Sequence, residues 1–241
     1  MRIILSPAKK MREDTDSLAP AALPVFLEQA EQILAVLQAM DDRALQKLWR
    51  CNDKIAAQNI ARLRHMDLRG NLTPAILSYV GLQYQYMAPG VFEETQYRYL
   101  QERLRIVSGF YGLLRPFDGV TPYRLEMQAR LRVGGAADLY SFWGNRLASR
   151  LAGETDWVLN LASREYSQAV LPHLPDRVQA VTCVFAQRVE GRLVEKGTLC
   201  KMARGEMVRW LAEEQVDSRE ARKGFDRLGY RYDCRESAPE R

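Results

Sequence analysis

Apolar positions in this chain fall into two patterns, short unbroken runs and longer stretches with a spacing of three to four residues. Ile3, Ile4 and Leu5 follow Arg2 as an unbroken apolar run, the mark of a buried strand, and the loop SPAKK comes next. In PAALPVFLEQAEQILAVLQAM, the residues Phe26, Leu27, Ala30, Ile33, Leu34 and Leu37 recur at helical spacing. Asp41 is placed to cap a second helix, and Asn52 or Asp53 a third, CNDKIAAQNIARLRHM. On that third helix Ile55, Asn59 and Arg62 share one face. Thr73-Pro74 opens another helix with proline in its first turn. Tyr97, Leu100, Leu104 and Val107 predict a helix over 93–107, and residues 137–151 read as one more. DWVLNLAS reads as a strand ending in a polar cap, with a short helix over 164–170. RVQAVTCVFAQRVEGRLVEKG predicts two strands about a Glu190-Gly191 turn. TLCKMARGEMVRWLAEEQ predicts a helix in spite of Gly205, and a short strand near Tyr230 follows.

This order of elements predicts a mixed α/β (α+β) fold, a central sheet covered by helices. With 241 residues, 47% hydrophobic and 27% charged, and no linker-like stretch, the chain reads as one compact domain over 1–241. The opening MRIILSPAKK lacks the apolar core of a signal peptide, and no run reaches membrane-spanning length, so a cytoplasmic protein without a membrane partner is expected. Cys51, Cys183, Cys200 and Cys234 are scattered, and His65 and His173 stand alone. That spacing predicts no metal site, and no motif calls for a cofactor.

The net charge is +5, with 28 Arg against 7 Lys. From Arg98 to Arg150 nine basic residues face four acidic ones, so that stretch carries as much net charge as the whole chain. A concentrated positive field of guanidinium forks suits a polyanionic partner. Within it lies SGFYGLLRPFDGVTPYRLEM, residues 108–127, which has neither helical nor strand periodicity. Ser108, Gly109 and Gly112 suit a turn whose free N–H groups form an anion nest. Arg115 and Arg124 offer forks to phosphates, and Tyr111 and Tyr123 faces on which bases stack. Further phosphate-binding candidates are Lys9, at the end of the first strand, Lys54, Arg62, Lys201 and Arg204. Lys9, Glu126, Glu165 and Lys201 are the candidate catalytic groups, nucleophile or phosphate ligand for the lysines and acid or base for the glutamates. Asn160 and Ser163 sit where a strand meets a helix, as caps do.

Seven blocks in order, ILSPAKK, NDKIAAQNIAR, VSGFYGLLRPFDGVTPYRLEM, LYSFWGN, VLNLASREY, CKMARG and GFDRLGY, resemble the YaaA family over nearly the whole chain. The resemblance implies a bacterial cytoplasmic protein of peroxide stress that limits iron-dependent damage and binds DNA. It also implies a fold peculiar to the family, with a basic cleft and a helix-hairpin-helix-like element. The best match to that element is Leu104 through Leu114, with Ser108–Gly112 as the hairpin. The chain departs from the family pattern at Lys10, at Val80 and Leu82 (Tyr-Val-Gly-Leu in place of Phe-Lys-Gly-Asp), and at Asn145, Arg164 and Met202. Sequence-independent duplex binding through phosphates is the leading expectation. The alternative is an enzyme acting on a nucleoside, nucleotide or damaged base.

Overall fold

The computed structural model of the chain describes residues 1–237. Five strands build the main sheet: β1 (Arg2–Leu5), β2 (Leu104–Ser108), β3 (Gly112–Leu114), β4 (Trp157–Asn160) and β5 (Gln179–Thr182). Their spatial order is β3-β2-β1-β4-β5. β1 runs parallel to β2, with Leu5 beside Ile106, and parallel to β4, with Ile3 beside Leu159. β4 and β5 are also parallel, whereas β3 returns antiparallel to β2. Ile3, Ile4 and Leu5 are fully buried, as are Leu104, Ile106 and Val107. Strands covered on both faces read as continuous apolar runs. The sheet is mixed and flanked by helices, as the element order predicts.

Because β1 leads to β2 on one side and β3 leads on to β4 on the other, the direction of winding reverses at β1. Ligands of open α/β sheets gather beyond the carboxyl ends of the strands at such a reversal. The residues that emerge there are Ser6 to Lys10 after β1 and Leu161 to Glu165 after β4.

The helices form where local chemistry allows. Leu27–Ala39 buries Ala30, Ile33 and Leu37. Asp41 Oδ1 accepts from the Ala44 N–H at 2.8 Å and caps Asp42–Trp49. Asn52, rather than Asp53, caps Asp53–Arg64, accepting from the Ile55 N–H at 3.0 Å. Thr73-Pro74 first pairs with Gly119-Val120 as a two-residue strand, and only a single turn, Ala75–Ser78, follows. The helix expected over 137–151 breaks at Gly144 (φ +49°) into Leu139–Trp143 and Arg146–Ala152. Glu190 and Gly191 both have positive φ and close a hairpin between Gln187–Val189 and Arg192–Val194, while Gln179–Thr182 leaves for the main sheet. Gly197–Glu213 is one continuous helix.

One reading is overturned. The helix that starts after Glu93 ends at Arg103, and 104–108 is the strand β2. Leu104–Leu114, the place expected for a helix-hairpin-helix element, is the β2–β3 hairpin, with Ser108 opposite Gly112. Spacings of three and four residues among Leu100, Leu104 and Val107 imitate a helix, but 104–108 is buried throughout and ladders to β1 on one side and β3 on the other.

Candidate functional site at the carboxyl end of the sheet

Lys9, Arg124, Glu126 and Glu165 meet beyond the ends of β1 and β4. Lys9 Nζ lies 3.2 Å from Glu126 Oε1, and Arg124 Nη2 lies 3.3 Å from the same oxygen. The Lys9 side chain is 64% exposed, whereas those of Glu126 and Arg124 are about nine-tenths buried (10% and 11% exposed). Arg124 Nε is buried without a hydrogen-bond partner. Burial pushes the Glu165 carboxyl above the ordinary glutamate range and the Glu126 charge adds to this, while N–H groups of Gln128 and Met127 and the Lys9 ammonium pull the other way. Two carboxyl groups therefore share one neighbourhood with different partners. Glu165 is biased toward its acid form, and Glu126 is held by Lys9 and Arg124.

The loop bearing Lys9 is held from several sides. Ser6 Oγ accepts from the Ser163 N–H at 2.8 Å and donates to Ser163 Oγ at 3.2 Å, tying the end of β1 to the end of β4. Gln83 Nε2 and Tyr84 OH both donate to the Ser6 carbonyl, at 2.9 and 3.1 Å. Asn160 Oδ1 accepts from the Ala162 N–H and its Nδ2 donates to Thr182 Oγ1, so Asn160 shapes the turn after β4, as a cap-like residue should. Ser163 holds the N-cap position of Arg164–Ser167, but its hydroxyl serves Ser6 instead of the helix.

Residues 108–127 turn out to be the floor under this cluster rather than its surface. Ser108 Oγ accepts from the N–H groups of Phe110 and Tyr111 at 3.1 and 2.9 Å, which consumes the donors expected to form an anion nest. Ser108 Oγ and Tyr79 OH both share hydrogen bonds with Tyr123 OH, at 2.6 and 2.8 Å. Tyr111 is fully buried and bonded to Thr121, and Tyr123 is stacked on Phe110. Neither tyrosine offers a face to a base, because core rings already cover both. Gly109 passes directly beneath 125–127: a Cβ there would stand 3.0 Å from Leu125 O and from Met127 N. A Cβ on Gly112 would meet the Trp143 ring at 2.8 Å. Both glycines serve close packing against backbone and ring atoms of the interior.

The other expected residues are divided. Arg115, nine positions before Arg124, lies at the opposite end of the sheet in a cavity with Arg2 and Arg105. Lys201 is exposed on the helix Gly197–Glu213. Arg204, on the same helix, has its Nε buried without a partner. That helix packs on Leu82–Met87, which carries Gln83, so both stand one helix away from Ser6. Lys54 and Arg62 lie on Asp53–Arg64, which packs on the two preceding helices, and the structure does not bring them into the cluster. Sequence reasoning missed Gln83 and Tyr84, whose signal is only a polar and an aromatic residue in a short helix, and Ser6, hidden inside SPAKK. Positions of departure border the site: Lys10 pairs with Val80, and a Cβ on Gly81 would lie 3.2 Å from Ala8. Arg164 directly precedes Glu165 and is exposed.

A family model described as peroxide stress protein YaaA matches residues 1–236. A UPF0246 protein of Lachnoclostridium phytofermentans is 50% identical over 97% of this chain and 91% of its own length. One from Lactiplantibacillus plantarum is 49% identical over 100% of this chain and 97% of its own. With a match over almost every residue described, and relatives at about half identity along more than nine-tenths of their lengths, the chain belongs to the YaaA peroxide stress family.

Proposed function

We propose that the chain serves the peroxide-stress response at DNA, holding backbone phosphates at the carboxyl end of the sheet. One observation carries this reading: the exposed Lys9 ammonium and the partly unsatisfied Arg124 guanidinium are fixed side by side on one Glu126 oxygen, at the winding reversal of the sheet. Phosphate oxygens would take the open side of Lys9, with the Arg124 charge directly behind it, without any base being read. Lys10 and Arg164, exposed on the same loops, add to the field. Among the described residues no three of His, Cys, Asp and Glu are grouped to hold a metal.

The test is a titration of a labelled 30-base-pair duplex across a salt series, with wild type and a Lys9→Ala, Arg124→Ala variant. Each phosphate contact contributes about 0.9 to the log–log salt slope, so the double variant, which loses the Lys9 contact and the Arg124 charge behind it, should bind more weakly with a slope shallower by about 0.9. Unchanged binding and slope in the variant would refute this placement, and salt-insensitive binding by the wild type would refute the phosphate reading itself.

A second reading is favoured by Glu165. In cleavage of an N-glycosidic bond, Glu165 would pass its proton to the departing base while Glu126 takes a proton from the water that attacks the sugar carbon. Mass spectrometry of oxidised duplexes should then detect free base, with a rate that falls as pH rises through the elevated Glu165 pKa. Intact duplex after incubation at every pH would leave binding alone.

A further inference from the structure

At the amino end of the sheet, opposite the cluster just described, lies a cavity of about 430 Å³ lined by Arg2, Gln101, Glu102, Arg103, Arg105 and Arg115. A second cavity of about 190 Å³ shares Glu102 and Arg103 as a wall and extends it toward Arg98 and Tyr99. The topology makes this concentration. Arg2 opens β1, Arg103 and Arg105 flank the start of β2, and Arg115 follows β3, whose antiparallel return brings it back to the same edge.

Glu154 is the carboxylate at the centre of these guanidinia, and it is shared. Its Oε2 accepts from Arg2 Nε at 3.1 Å and lies 2.6 Å from Arg105 Nη2, while Oε1 accepts from Arg150 Nε at 3.0 Å. One negative charge thus answers three guanidinium groups. Arg105 is satisfied by Glu154 and the carbonyls of Leu104 and Gln101. Arg103 and Arg115 are not so answered: among the described residues neither has a carboxylate within ion-pair distance. Arg103 Nε is buried without a hydrogen-bond partner, and its guanidinium lies over the Tyr99 ring at 5.2 Å. The Arg115 side chain faces the cavity while its backbone N–H is taken by Asp118. Glu154 stands behind the lining; the acid in the wall of the larger cavity is Glu102, and the smaller cavity adds Asp217.

We infer that this arginine-lined cavity is a second anion site, which takes a phosphate-bearing small molecule of nucleoside-phosphate size. Two uncompensated forks converge on a volume inside the range of small-ligand pockets, and planar guanidinium groups match phosphate oxygens in pairs. Duplex DNA is the less suitable occupant, because the forks gather around one volume of small-ligand size instead of forming a stripe along which a duplex backbone would run. The site is independent of the DNA reading, since none of its residues belongs to the carboxyl-end cluster.

Isothermal titration at 150 mM salt with ADP, inorganic pyrophosphate and adenosine tests it, using the full chain and two variants, Arg103→Gln and Arg115→Gln, each checked for its thermal melt. ADP and pyrophosphate should bind and adenosine should not, and each variant should weaken ADP binding at least tenfold. Arg115→Gln keeps the backbone bond to Asp118, so at least one variant should remain folded. Absence of heat with both phosphate probes up to millimolar concentration overturns the inference, as does equal affinity in wild type and variants. Displacement of ADP by duplex DNA, with DNA affinity falling in both variants, also overturns it and assigns this face to nucleic acid.

Discussion

Replacing Gly205 by alanine probes how the Lys9 loop is supported. Gly205 lies mid-helix within Gly197–Glu213, where alanine is ordinarily better than glycine by about 1 kcal/mol. Here, however, a Cβ would stand 2.0 Å from Gln83 O, 2.9 Å from Gln83 C and 3.0 Å from Met87 N. All three atoms are backbone, so no flexible side chain can swing aside, and the two helices must separate by more than 1 Å to restore contact distance. Overpacking in well-filled interiors costs about 1–3 kcal/mol, and rigid backbone on both sides places this case at or above the upper end. The net expectation is a loss of about 2 kcal/mol or more once the helix-propensity gain is subtracted. Urea denaturation read by tryptophan fluorescence measures it as a fall in midpoint at unchanged slope. The displacement acts on Leu82–Met87, so the bond from Gln83 to the Ser6 carbonyl should loosen as well, and duplex affinity should fall in the folded fraction. A Gly205→Ala protein as stable as wild type would refute the close-approach argument.

Further outcomes follow from the buried polar groups. Burial raises the Asp118 carboxyl from 3.8 to about 6, so the folded chain binds this proton more tightly than the unfolded one; stability should decline by roughly 3 kcal/mol as pH rises from about 4 to about 6, and Asp118→Asn should flatten that slope in pH-dependent urea melts. Glu154→Ala leaves buried Arg105 without its carboxylate and should cost about 3–5 kcal/mol by chemical denaturation; a smaller loss than 1 kcal/mol would refute the shared-charge account. Tyr123→Phe strips a partner from both Ser108 and Tyr79 and should cost about 1–3 kcal/mol, seen as a lowered melting temperature.

The legible parts of the fold are those whose cause is local. Asp41 and Asn52 declare their helices because a cap needs only a side chain three residues from an N–H, and Glu190-Gly191 declares its hairpin because positive φ at both positions is a turn property. β2 was illegible because LRIVS, fully covered by its neighbours, shows no alternation, and a preceding helix lends it a false period. At the site, Lys9, Glu126 and Glu165 are legible as chemical types, yet their meeting depends on the crossing order of β1 and β4, which no spacing encodes. Arg115 and Arg124 show the converse: nine residues apart in sequence, they are parted by the length of the sheet, because β3 ends at one edge while the chain then runs on to the other. The aromatics of 108–127 look like a binding surface since exposure cannot be read from residue type, and only the structure places Tyr111 and Tyr123 inside.

Gly109 lying beneath the backbone of 125–127 has a consequence for how this family can vary. The placement of Glu126 is stored in the interior, in a glycine and in the Ser108, Tyr123 and Tyr79 hydroxyls, none of which meets a ligand in the proposed readings. Random mutation will therefore silence such a protein mostly from inside, with every outward-facing group still intact. Lys10 and Arg164, exposed at the border, carry no such load. The chain is built so that its rim can wander while the frame beneath it stays still.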